Sequence, residues 1–180
     1  MFGRARKEAA AALERHVNTF VGAGYRELER RAPLTARLRG DEKRGIELRM
    51  VPQGRVFGGS YVLEIATADP VLPPSSGLEG RGRGLVRLSR VSFHPAGDDA
   101  TAHRLARQLG EDRRLQDALA RVHFDRVRVT PDGRAAIRHV GGSVVWILFP
   151  PLVRPVPLVA AQAQATASAL AAFSQAERGR

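Results

Sequence analysis

Five histidines, His16, His94, His103, His123 and His139, are the side chains of this 180-residue chain able to change charge near neutral pH, and no cysteine joins them. Any metal chemistry would therefore rest on histidine and carboxylate. Two pairings have ligand spacing: Asp99 and His103, four apart on one helix face, and His123 and Asp125, two apart on an expected strand. Neither finds a third ligand nearby, and an aspartate near a helix start with a histidine one turn on is equally an ordinary ion pair. His16 lies beside Leu13 and Val17 at the edge of an apolar helical stripe and reads as a packed histidine. No Gly-Lys-Ser/Thr phosphate loop occurs, and Gly80-Arg81-Gly82-Arg83-Gly84 lacks the dinucleotide spacing and the strand-turn-helix context. Nor does any serine sit in a Gly-x-Ser-x-Gly elbow. No catalytic residue, metal or cofactor is expected. An enzyme would need an active site assembled from residues distant in sequence.

Arginine carries the largest global signal. Of 29 basic residues only Lys7 and Lys43 are lysine, and the net charge is +11 with a pI near 11.5. The excess fits an anionic partner, or the codon usage of a GC-rich bacterial genome. It is not concentrated: residues 1–60 hold 13 basic against 7 acidic groups, 61–100 hold 4 against 5, and 101–180 hold 12 against 6. On expected strands, however, arginines alternate with apolar residues. Arg126 and Arg128 oppose Val127 and Val129, Arg49 opposes Ile46, Leu48 and Met50, and Arg87 lies in the run from Leu85 to Phe93. An arginine-lined sheet face is expected, with Arg49, Arg87, Arg126 and Arg128 as anion-binding residues for nucleic acid or an anionic membrane surface. Aromatics are only 6% of the chain, so a stacking platform for single strands is poorly supplied.

The elements that would position these groups follow from periodicity. Leu13, Val17, Phe20 and Val21 predict a helix over 6–21, stopped by Gly22-Ala23-Gly24, with a first turn frayed by its cations. Strands are expected at 46–50 and 61–65, joined through a Pro52-Gln53-Gly54 turn and a long loop or bulge, with a short strand at 35–38. Residues 69–84, rich in Pro, Gly and Ser, read as an exposed loop. A further strand follows over 85–93. Asp98 and Asp99 can cap a two-part helix with stripes at Leu105–Leu109 and Leu115–Leu119, interrupted at Gly110. Pro131-Asp132-Gly133 predicts a hairpin, and 158–173 an alanine-rich helix. The order implies a single α+β domain over 1–180: a mostly antiparallel sheet with N-terminal, central and C-terminal helices packed on one face.

Within the most apolar run, Val144 to Leu152, the segment Val144 to Phe149 is apolar on both faces, which places it in the middle of a sheet covered on both sides or at an interface. Trp146, Leu148, Phe149 and Leu152 are the candidate interface residues, for a protein partner or self-association. The run is about half the length a spanning helix needs and is broken by Pro150 and Pro151, so no transmembrane segment is expected. No apolar signal sequence follows the early arginines, so a cytoplasmic location is expected.

The opening helix before Gly24-Tyr25, the Phe57-Gly58-Gly59-Ser60-Tyr61 segment and the Trp146-to-Pro151 run before a terminal helix are features the chain shares with small bacterial proteins. It resembles the family grouped as domain of unknown function 3156. That resemblance implies no activity, cofactor or site residue. The sequence-based expectation is a non-enzymatic binding or accessory module.

Overall fold

The computed structural model describes residues 2–40, 45–55, 57–83, 90–149 and 151–178. Among these residues four helices and ten strands form an α+β fold in the order α1 (Phe2–Gly22), β1 (Arg26–Ala32), β2 (Thr35–Arg39), β3 (Gly45–Arg55), β4 (Gly58–Thr67), β5 (Leu78–Arg83), β6 (Arg90–Pro95), α2 (Ala100–Glu111), α3 (Arg113–Leu119), β7 (Phe124–Val129), β8 (Ala135–His139), β9 (Val144–Ile147), β10 (Leu152–Pro155) and α4 (Ala160–Arg178). All described strand pairs are antiparallel, and the sheet runs β1-β2-β3-β4-β8-β7-β5-β6, with β9 and β10 branching from β4.

Strand periodicity divides the sheet into two faces. Ile46, Leu48 and Met50 of β3 stand opposite Thr67, Ile65 and Leu63 of β4. Ile137 of β8, Val127 of β7 and Leu78 of β5 continue that face. The helices cover it: Leu13, Val17 and Phe20 of α1, Leu105 and Leu109 of α2, Leu115 and Leu119 of α3, and Phe173 of α4 are all buried in one continuous core. Asp99 caps α2 by accepting from the Ala102 amide, and also accepts from the Ser76 amide. The helix break falls at Asp112, not Gly110, because the Asp112 carboxylate accepts from Leu115 N at 2.9 Å and starts α3 afresh.

Several expectations change. Helix α1 begins at Phe2 and keeps its first turn, since the Phe2 ring packs edge-on against Trp146 with centroids 4.7 Å apart. Pro52-Gln53-Gly54 is not a turn but part of β3; Arg55 pairs with Gly58, leaving a two-residue connection. Proline is tolerated there because Met50 N points to Leu34 O, so position 52 points the same way, past the end of β2 at Thr35. The segment 69–84 is not one exposed loop. Its second half is β5, seated between β7 and β6, and its glycines concealed the alternation. Its first half is pinned: the Val71 and Leu72 amides donate to Gly133 O, and the Leu72 side chain is buried. Strand β1 was unforeseen because Arg26-Glu27-Leu28-Glu29-Arg30 carries no apolar face; it is a charged edge. Of the strand expected at 85–93, only residues from 90 onward lie within the described part, in β6.

Beta4 forks. Its residues 58–61 pair with β9 and 64–66 with β8, on the same edge. Between these stretches Val62 and Leu63 face residues 139–143, a wide bulge closed by Gly142 at φ +79°. The fork holds two features together: a buried histidine pair on the helix side, and an apolar end beyond it.

Candidate functional site

The outer face of the sheet is arginine-lined, as alternation predicts. Arg49 stands opposite Glu64, Glu64 opposite Arg138, and Arg138 opposite Arg126; one row over, Arg37 faces Glu47 and Arg128 faces Glu79. The carboxylates answer the guanidiniums. Arg128 Nη2 lies 2.8 Å from Glu64 Oε1, and Arg138 Nη2 lies 3.8 Å from the other oxygen. Arg49 Nε is 2.5 Å from Glu47, Arg126 Nε is 3.6 Å from Glu79, and Arg37 reaches Asp69 at 2.7 Å. Glu47 and Glu64 are only 3% and 5% exposed although they lie on the face away from the core, because the arginine stems fold over them. Three of the four expected anion-binding residues, Arg49, Arg126 and Arg128, thus share a face but hold carboxylates of their own. Arg87 lies outside the described residues.

Glu64 is the centre of this grid. Glu64→Ala is expected to destabilise the protein by about 2 kcal/mol, below the range for fully buried pairs because Arg128 is partly solvated. Arg126→Ala, whose partner is exposed, is expected to change stability by less than about 0.5 kcal/mol. Urea midpoints of the two variants check the contrast.

The region 144–152 is rearranged relative to expectation. Strand β9 is not covered on both sides: Val145 and Ile147 face outward and are partly exposed, while Val144 and Trp146 face the helices. Trp146 is therefore no surface contact. Its ring lies against α1 and over Gly59, where a Cβ would stand 2.6 Å from the indole, so only glycine fits. Leu148 is half-buried, its amide donating to Phe57 O at 3.1 Å, which ties the two hairpin ends side by side. Phe57, 73% exposed, and Phe149, 82% exposed, project from these ends, with Leu152 at 47% beside Ile147. A groove of about 520 Å³ runs between Phe57, Val145 and Ile147. Sequence reading missed Phe57, Val145 and Ile147; the outward parity of 145 and 147 was readable once 144 and 146 were assigned inward.

This end is also free of carboxylates. Residues 48–63 and 144–155, which build it, and residues 1–7 at the start of α1 contain no Asp or Glu; Glu8, which follows, is paired with Arg15. Arg4, Arg6 and Lys7 are exposed on the first turns of α1, and Arg154, exposed on β10, pairs with Val145. The β10 edge is interrupted by proline at 155, and proline follows again at 157, which discourages addition of another strand.

On the helix side of the fork, His16 Nε2 donates to Gly142 O at 2.9 Å. His139 Nε2 donates to Thr166 Oγ1 at 2.7 Å, whose own proton goes to Gln162 O. Among the described residues His139 Nδ1 has no hydrogen-bond partner. Burial pushes both imidazoles down, His139 to about 4, with His16 and His123 adding positive charge nearby. Both are packed in the core, with their Nε2 atoms engaged by Gly142 and Thr166. Of the two pairs with ligand spacing, Asp99 and His103 do not meet: His103 bonds Asp98 at 3.2 Å while Asp99 is occupied as the helix cap. Among the described residues no group of three or more histidine or carboxylate side chains is placed to hold a metal ion.

No curated protein and no solved structure matches the chain significantly. One family model does match, from the last residue of α1 to within α4, over residues 22–176. The chain therefore belongs to the family described as protein of unknown function, DUF3156.

Proposed function

We propose that this protein is a non-enzymatic accessory module that docks its apolar, carboxylate-free end onto an anionic lipid surface. The observation that carries the reading is the pair of exposed phenylalanines, Phe57 and Phe149, on adjacent hairpin ends surrounded by basic but not acidic residues. Projecting aromatic rings suit a soft interface. Inserting each ring contributes about 2 kcal/mol, and each nearby basic residue about 1 kcal/mol, enough for reversible and salt-sensitive attachment. Among the described residues no helix is long and apolar enough to cross a membrane, so attachment would be peripheral. A cytoplasmic location belongs to this reading, because the cytoplasmic leaflet presents the negative potential that the net charge of +11 would meet.

Self-association through the same end is the competing occupant, and charge disfavours it. A two-fold contact would bring Arg154 and the α1 cations toward their own copies with no carboxylate between them. Co-sedimentation with phosphatidylglycerol-containing vesicles tests the proposal. Binding is expected to exceed that to pure phosphatidylcholine, to weaken with salt, and to fall at least about tenfold in Phe57→Glu/Phe149→Glu. Both residues are exposed, so the thermal midpoint of the variant should be unchanged. Equal binding by the variant, or none by the native protein, overturns it. So does a concentration-dependent mass by light scattering that the variant abolishes, which would make a second copy the occupant.

A further inference from the structure

The arginines without a carboxylate are not spread evenly over the folded molecule. On the sheet face Arg37, Arg49, Arg126, Arg128 and Arg138 are matched, whereas Arg104 and Arg107 of α2 and Arg113 and Arg114 of α3 line a single groove of about 600 Å³ against α4. Among the described residues none of the four forms an ion pair or a hydrogen bond through its side chain. Two carboxylates share the groove. Asp112 is committed as the cap of α3, accepting from Leu115 N at 2.9 Å, and Glu111 is exposed. Four guanidiniums against two carboxylates leave a positive surplus in a concave site.

That surplus works against the local fold. Arg104 and Arg107 are like charges three apart on one helix face, and Arg113 and Arg114 occupy the first turn of α3, where cations oppose the macrodipole. Among the described residues no ion pair compensates, Glu111 in the groove included, whereas a multiply charged anion would. We propose that this groove binds a small phosphate-bearing ligand, held by the guanidinium forks of Arg104, Arg107, Arg113 and Arg114. Planar guanidiniums donate in pairs to phosphate oxygens, and four of them answer the charge of a diphosphate group. The groove lies on the helix side of the molecule and is lined by none of the residues of the apolar end, so the inference is independent of lipid docking.

Titration calorimetry with inorganic pyrophosphate at constant ionic strength tests it. Saturable binding is expected, reduced at least tenfold in Arg107→Gln/Arg113→Gln. The same variant should melt slightly higher than the native protein without ligand at low salt, because it relieves repulsion. That gain distinguishes a ligand site from a merely structural arginine cluster, whose loss would lower the midpoint. Absence of saturable pyrophosphate binding, or binding unchanged in the variant, overturns the proposal. Salt-sensitive binding of a single-stranded oligonucleotide without pyrophosphate binding also overturns it, because the groove would then track a polynucleotide backbone.

Discussion

Lowering the pH from about 7 to about 4 is expected to remove about 3 kcal/mol of stability through His139 alone. The imidazole is 1% exposed, donates from Nε2 to Thr166 and, among the described residues, has no hydrogen-bond partner at Nδ1. Protonation would place a cation with an unsatisfied N–H beneath α4, with His16 from α1 and His123 before β7 adding positive charge nearby. The folded-state value, about 4, lies below the unfolded value of about 6.5, so the unfolded chain binds the extra proton between them. Stability from this group is therefore fully present above the unfolded value and falls as the pH drops through that window, reaching a plateau below it. His16, shifted in the same direction by the same burial, steepens the loss. Denaturation curves of native protein and His139→Gln across this range isolate the effect. The variant keeps a donor for Thr166 but cannot titrate, and its loss should be smaller by about 3 kcal/mol. Equal losses would show that His139 is not the group responsible.

Gly133→Ala is expected to cost about 3 kcal/mol, from backbone strain and a collision acting together. Gly133 sits at φ +84° in the β7–β8 turn, and a Cβ there would meet the Leu72 carbonyl oxygen. The Gly133 carbonyl is also what holds the Val71 and Leu72 amides, so displacing the turn releases the segment that leads into β5. Thermal unfolding should fall by roughly ten degrees, at a few degrees per kcal/mol for a chain of this size. Faster hydrogen exchange should appear at Val71 and Leu72. A midpoint within a degree or two of the native protein would mean that the turn relaxes without strain.

How much of this molecule could be read from its residues depended on whether a signal was local. Helix α1, the two-part α2–α3 unit with Asp99 as its cap, the β7–β8 hairpin and the sidedness of β3 and β4 all follow from spacings of two or of three to four residues, which are properties of neighbours in the chain. Where local and tertiary forces competed, local reading failed. Glycine-rich β5 looked like loop because its value to the sheet lies in what packs against it: Val91, Phe93 and Val127 close over Gly80. Charged β1 had no apolar face to announce it, since as an edge strand it needs none.

The candidate sites show the same division. The types and alternation of residues were sufficient for an α+β fold and for a sheet face lined with arginine, because strand parity sends alternate side chains to opposite sides wherever the strand is placed. Which arginines meet a carboxylate was beyond that reading. Glu64 meets Arg128 and Arg138 across strands and Glu47 meets Arg49 along β3, while Arg104, Arg107, Arg113 and Arg114 come together across a helix break. Likewise, Val144 to Leu152 announced an apolar segment, but the fork of β4 and the approach of α1 turned Trp146 inward and left Phe149 in solvent. Charge matching and burial are sums over groups distant in sequence, so they exist only once the chain has closed on itself.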